Sequence, residues 1–437
     1  MKNMHRKPVI LNIRQIGKFF SWKTFFQRLF ITIQFYDRNG LANHAAGGSY
    51  GFLLSAAPTL LLVSIFLLIA FRSSPHTISN LLQQDIPFLE TIFAETWIAE
   101  NITTITRSGI PGALSVISIL WAGRIFALTL QKGLKVIFSG TKKRHPVKEA
   151  LITLLIQLGV FIFAVGFIIS SQTVMFVVDS IKDMPKILAE IFDLIRSHFF
   201  PFAALGIVTY GAYRVIPVNP PQRLSALRGA LFCVIPYMFT SMALHFIINK
   251  TRYNFLYGTL GDLVILLISV YFFFVFFFLG AQFTKVKDSI DVLLFINLVK
   301  ARKKIAANQK GLWIKIFSAT DGPLKKYLRQ YKKDTIIIRK GERGDEVFYL
   351  LDGKVEVLIP GRTPPVLEPG VFFGEMEHLL SAERTADIKT ISDITVLAMP
   401  TRLFDEALNS DTSFDRNVID NLTQRLKEAN DHSSVIR

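Results

Sequence analysis

Cysteine is almost absent from this sequence. Cys233 is the only one, which excludes an intramolecular disulfide framework and any cysteine-rich metal centre. Signatures of hydrolytic metal sites are missing too: there is no HExxH, no paired Asp/Glu motif and no His/Cys cluster at ligand spacing, and the eight histidines are scattered. Catalysis of any kind is therefore disfavoured, and no cofactor or metal is expected. Acid is scarce as well, with 33 Asp and Glu against 50 Lys and Arg and a formal net charge of +17. Such an excess suits either nucleic acid or an anionic membrane surface, and the placement of the charges decides between them.

What the chain has in quantity is apolar surface. At 51% hydrophobic residues and a mean hydropathy of +0.38, it is too apolar for a soluble protein of 437 residues. The surplus gathers in six runs expected to span a bilayer: Ala42–Phe71, Ile110–Phe138, Ala150–Val178, Phe199–Tyr213, Gly229–Ile248 and Leu263–Phe283. In the first, Gly47, Gly51 and Ser55 fall four apart, a small-residue stripe that lets another helix approach closely. Arg124 lies about halfway along the second and is the candidate functional residue of the membrane region. An ionisable group there either faces a cavity or a partner carboxylate, or snorkels to the interface. Gln157, Gln172, His245 and Asn249 are expected to join helices to one another.

The charges alternate with the spans. The segment before the first run, the loop Lys142–Lys148, the loop carrying Arg214, Arg223 and Arg228, and the segment after Phe283 are basic. Arg72–Arg107 instead carries Asp85, Glu90, Glu95 and Glu100. This bias predicts that both termini are cytoplasmic, and it accounts for the positive charge without a nucleic-acid polymer as partner. Residues 1–40 interleave basic side chains with Phe19, Trp22, Phe26, Leu29, Phe30 and Ile33, the pattern of an amphipathic helix on anionic phospholipid. No cleavable signal peptide is expected. Residues 286–320 form a basic helical linker, with Lys300, Arg302, Lys303 and Lys304 beside Leu293, Leu294 and Leu298. It is expected near the inner leaflet, either as a coupler or as a passive tether.

Beyond the linker the patterning changes to short β-branched and aromatic runs punctuated by glycine, TIIIRKGERGDEVFYLLDGKVEVLIPG over 335–361. Residues 370–388, GVFFGEMEHLLSAERTADI, follow. A carboxylate at Glu375 can accept a ribose 2′-hydroxyl, and a guanidinium at Arg384 with nearby backbone N–H groups can neutralise one phosphate. The FGE and R-T-A elements at this spacing, with the KGxxGDxxFYLLxGxVxV pattern ahead of them, resemble cyclic nucleotide-binding domains. The resemblance implies a β-jelly-roll with flanking helices and a ligand site at Gly374, Glu375, Met376, Arg384, Thr385 and Ala386. Glu375 would take the ribose and Arg384 the cyclic phosphate, while Thr385 leaves cAMP and cGMP both open. Glu377 and Glu383 depart from the pattern by putting extra negative charge near the phosphate site, which members of the family tolerate where it points to solvent.

The membrane half is similar to the YihY/BrkB family of bacterial inner-membrane proteins. The similarity rests on AAGGSYGFLLSAAPTLLL in the first span, LKVIF closing the second, PxxxxxxRGA over Pro221–Ala230, Tyr257–Gly258, and LGAQF over Leu279–Phe283. Gln282 stands where many members carry Glu. The expected fold class is an all-α polytopic bundle of six transmembrane helices followed by the jelly-roll domain. The expected domains are 1–40 (basic amphipathic segment), 41–285 (membrane), 286–320 (linker) and 321–437 (cyclic nucleotide-binding). The expected function is a multi-pass protein of the bacterial cytoplasmic membrane with transport or channel-like activity regulated by cAMP or cGMP. No filter motif such as TVGYG names a solute. A membrane-anchored sensor or scaffold without transport is the alternative, and a ribonuclease-type enzyme is the disfavoured third. Expected partners are cyclic nucleotide and anionic phospholipid, with a homo-oligomer left open.

Overall fold

The computed structural model describes residues 22–71, 124–138, 145–180, 200–250, 259–318, 322–358, 364–380 and 382–434. The chain divides into two compact units, Phe30–Asp288 and a second that unites Ser289 onward with the start of the first helix up to Leu29.

The Phe30–Asp288 unit is helical. After α1 (Trp22–Arg38), which begins in the other unit, come α2 (Leu41–Phe71), α3 (124–137), α4 (Pro146–Ser180), α5 (Phe200–Val215), α6 (Arg223–Lys250) and α7 (Thr259–Asp288). Among the described residues three stretches, Pro146–Ser170, Arg223–Leu244 and Val264–Asp288, are long and apolar enough to cross a membrane. Leu151, Leu154, Leu158 and Ile162 stay exposed on α4, an apolar surface of the kind lipid covers. The first half of the expected second span, the acidic loop with Glu95, Lys142 and Tyr257–Gly258 lie outside the described residues, as do the side chains of Gln172, His245 and Asn249.

Small residues set the packing in this unit, because lipid tails offer helices no hydrophobic advantage in associating and close backbone contact must do it. A Cβ on Gly51 would lie 3.3 Å from the Phe126 Cα of α3, and one on Gly48 would lie 2.9 Å from the Phe274 ring of α7. Gly229 of α6 and Gly280 of α7 meet more tightly still: a Cβ on Gly229 would come within 2.7 Å of the Gly280 carbonyl oxygen. Two of the motifs singled out in the sequence, RGA and LGAQF, are thus the two sides of one helix crossing. Beside it the buried Tyr213 hydroxyl donates to the Phe277 carbonyl, and Asn39 Nδ2 donates to the buried Gln282 Oε1 at 3.3 Å.

The second unit is a jelly-roll with helices on its outside. Its strands are β1 (Leu328–Tyr331), β2 (Ile336–Ile338), β3 (Glu346–Asp352), β4 (Val355–Leu358), β5 (Val366–Leu367), β6 (Phe372–Phe373), β7 (Asp387–Thr390) and β8 (Ile394–Pro400). They form two antiparallel sheets, β1-β8-β3-β6 and β2-β7-β4-β5. Alternation along β3 explains why its sequence, EVFYLLD, is apolar on both faces. Phe348 and Leu350 enter the core between the sheets with Phe373, Ile388 and Val396, while Tyr349 points the other way and meets Phe295 and Phe372. Gly353 turns β3 into β4 at φ +84°, and a Cβ there would lie 2.4 Å from the Asp393 carbonyl oxygen, so both backbone and space demand glycine.

From Ser289 on, the expected linker belongs to the jelly-roll unit. Its helix α8 (Ile290–Ala306) buries Ile290, Val292–Leu298 and Val299 within the jelly-roll unit, and Phe295 packs edge-on against Tyr349, Phe372 and Phe414. Apolar residues at nearly every position of 290–299 need cover on more than one side, and here protein supplies it. Lys300 Nζ bonds Asp411 Oδ2 at 2.7 Å. After α9 (Leu312–Phe317) and a 3-10 turn (Gly322–Tyr327), the start of α1 joins the same unit: Gln27 Nε2 donates to the Ile316 carbonyl at 2.8 Å.

Candidate functional site

The cassette runs from β6 through Gly374 into α10 (Glu375–Leu380) and, after a loop, into β7. Gly374 has φ +76°, and a Cβ on it would lie 2.3 Å from Arg384 Nη1, so the turn and the arginine fit only around a glycine. Glu375 is 1% exposed and Arg384 6%. Ala386 is buried, Met376 half-buried and Thr385 exposed. The six residues singled out in the sequence therefore fall on one turn, one short helix and one loop, between β6 of one sheet and β7 of the other.

Arg384 is held from three directions. Nη1 donates to the Gly374 carbonyl at 2.5 Å, Nη2 donates to the Glu346 carbonyl at 2.9 Å, and Nε pairs with Glu377 Oε2 at 2.5 Å. Its backbone is pinned as well, accepting from the Gly341 amide at 2.9 Å and donating to the Glu342 carbonyl at 3.2 Å. The KGERGD segment ahead of β3 thus builds the seat of the arginine. Gly344 contributes most closely, since a Cβ there would lie 2.4 Å from Arg384 Nη2.

Glu377 does not point to solvent. Its side chain is 10% exposed, and its Oε1 accepts the Gly344 amide at 2.7 Å while Oε2 holds Arg384. A buried guanidinium draws in a nearby carboxylate because both charges would otherwise be desolvated without a partner. Glu383, in contrast, is exposed and lines the cleft beside the cassette. That cleft has a volume of about 460 Å³ and is also lined by Arg343, Gly344, Asp345, Glu377 and His378, while Arg384 and Glu375 are not among its lining residues. His378 Nε2 lies 2.5 Å from Asp405 Oδ1 and so ties α10 to α11 (Thr401–Ser410), the first of the helices behind the jelly-roll. The pairing of Glu377 with Arg384 escaped sequence reasoning, whose only signal for it was a surplus carboxylate two residues after Glu375.

Arg124 belongs to the other unit. It is exposed at the start of the described part of α3. Among the described residues no group of three His, Cys, Asp or Glu side chains could hold a metal ion.

Comparison with known proteins assigns the two units. Residues 32–291, more than half of the chain, match the family described as Virulence factor BrkB. The chain belongs to the BrkB family. Its helical unit is the BrkB part, and Gly229, Gly280 and Gln282 all lie within it. Residues 328–411 of this BrkB-family protein match the cyclic nucleotide-binding domain, which takes in the whole cassette. The chain is 29% identical over 105 residues to human cGMP-dependent protein kinase 2, covering 24% of this chain and 12% of the kinase. It is 36% identical over 64 residues to a cyclic nucleotide-gated potassium channel of Rhizobium etli, covering 15% of this chain and 18% of the channel. The BrkB-family chain therefore spans less than a fifth of the length of these curated relatives. Among solved structures it is similar to the catabolite activator protein of Thermus thermophilus, at 25% identity and a TM-score of 0.23, covering 25% of this chain and 54% of that one.

Proposed function

We propose that this BrkB-family membrane protein carries a transport or channel-like activity in the cytoplasmic membrane, and that cAMP or cGMP bound at the cassette regulates it. The observation that carries the reading is Arg384, a guanidinium built into a buried seat by Gly344, Gly374 and the KGERGD loop, with Glu375 buried on the adjoining helix. A buried, preorganised guanidinium is suited to an oxyanion such as a cyclic phosphate. In this reading Glu375 takes the ribose 2′-hydroxyl, and Gly374, Met376, Thr385 and Ala386 shape the rest of the site.

Regulation would run through linkage: nucleotide favours one arrangement of cassette and helices, and the coupling cannot exceed its differential affinity, typically about 1–3 kcal/mol. Support comes from α8, which follows α7 after Ser289 alone and packs Phe295 against β3, β6 and the last helix, α12 (Thr412–Ser434). Six spans with both termini cytoplasmic, and contact with anionic phospholipid along α1, complete the proposal. For the latter, Phe26, Phe30 and Ile33 form an exposed apolar stripe on α1.

The test is flux in proteoliposomes loaded with K⁺-, Cl⁻- or H⁺-sensitive dyes, with and without cAMP and cGMP. A nucleotide-dependent change in at least one flux is expected. Nucleotide binding without any such change would instead leave an anchored sensor.

A further inference from the structure

We propose that Glu377 is a built-in competitor for the ligand's phosphate. Its carboxylate occupies the edge of Arg384 that a cyclic phosphodiester would use, so the domain responds only to nucleotide concentrations able to displace it. This rests on the reading of Arg384 as the phosphate-binding residue.

A carboxylate and a phosphodiester present the same thing to a guanidinium: one negative charge and a pair of acceptor oxygens. Glu377 already stands in ion-pair contact with Nε and is fixed on its other oxygen by the Gly344 amide. With Arg384 and Glu377 both buried, solvent and salt screen little, and two anions cannot share the guanidinium edge without strong repulsion. Glu377 also lines the cleft, so its side chain has open space into which to swing. Arg343 lines the same cleft and offers a second cation to the displaced carboxylate. Displacement would leave two donors, the Arg384 Nε–H and the Gly344 N–H, for phosphate oxygens.

The experiment is calorimetric titration of cAMP and cGMP into the full chain in lipid nanodiscs, comparing the wild type with Glu377→Gln and Glu377→Ala. Glu377→Gln keeps an acceptor for the Gly344 amide and removes only the charge. It is expected to bind nucleotide about tenfold to a hundredfold more tightly, the range of a single charge-assisted bond no longer competed for. Binding by Glu377→Gln with none detectable in the wild type would support the proposal in its strongest form. Equal dissociation constants for all three proteins would overturn it while leaving nucleotide binding intact. If none of the three binds, the competitor role and the nucleotide-binding reading fall together. Hydrogen exchange on the same samples covers a merely structural role, which predicts lost protection around Gly344 with no gain in affinity. Should Glu377→Gln prove unstable, Glu377→Asp, which shortens the reach of the charge, carries the same expectation at smaller size.

Discussion

Replacing Arg384 with Ala perturbs folding and binding at once, and the structure says how to separate the two. The substitution removes the bonds to the Gly374 and Glu346 carbonyls and strands the Glu377 carboxylate, which is 10% exposed and keeps only the Gly344 amide. Breaking a buried pair from one side costs about 3–5 kcal/mol, most of it the uncompensated charge. Glu377→Ala is milder, at about 1–3 kcal/mol, because Arg384 retains its two carbonyl acceptors. The double variant removes the stranded charge and should fall short of the sum of the singles by about 2 kcal/mol, the coupling expected of residues in contact. Amide hydrogen exchange at β3 and β7 in the full chain is the measurement, since a two-unit protein has no single well-defined unfolding temperature. On the binding side, Arg384→Ala should weaken cyclic nucleotide by about 2–5 kcal/mol and Glu375→Ala by about 1.5–3 kcal/mol. The double variant, stable yet still lacking the guanidinium, should bind as poorly as Arg384→Ala. Additive stability losses with a coupling below about 0.5 kcal/mol would refute the ion pair as an energetic unit.

Three further outcomes are expected. Gly229→Ala places a Cβ 1.8 Å from Thr284 Oγ1 and 2.7 Å from the Gly280 carbonyl oxygen, so α6 and α7 must part; a loss of about 1–3 kcal/mol should show as aggregation on size-exclusion chromatography in detergent. Burial pushes the Asp411 carboxyl up, but bonds from Lys300, Ser413 and the Phe414 amide outweigh it and hold the group below its ordinary value. A depressed carboxyl adds stability above the unfolded value of about 4 that is lost as pH falls below it, so α12 should lose exchange protection below about pH 4 in the wild type. Because Asp393 is depressed as well, by Lys332 and the Lys333 amide, the Lys300→Ala variant isolates the Asp411 part as a shallower acid loss. Finally, reporter fusions at Glu95 and Lys142 should report opposite sides of the membrane, and the same side for both would end the six-span topology.

What the sequence determined by itself is what depends on residues near one another in the chain. The FGE turn and the R-T-A loop were legible because Gly374, Glu375 and Arg384 are joined by one short helix and one loop, and the strands because glycine punctuates alternating apolar runs. The stripe of Gly47, Gly51 and Ser55 announced a close helix approach because small side chains have no other use in an apolar span. It did not say which helix approaches, and α3 is known only from the packed bundle. The two remaining surprises have the same cause. The basic run Lys300–Lys304 reads as a surface for lipid headgroups, yet Lys300 reaches an aspartate 111 residues away, and Phe295 finds Tyr349, Phe372 and Phe414. Glu377 reads as a solvated charge on an exposed helix, but the fold buries Arg384 beside it, and a buried cation with a carboxylate in reach leaves that carboxylate no better place to be. Pairings of this kind are set by desolvation, and desolvation exists only once distant segments have closed over the charge.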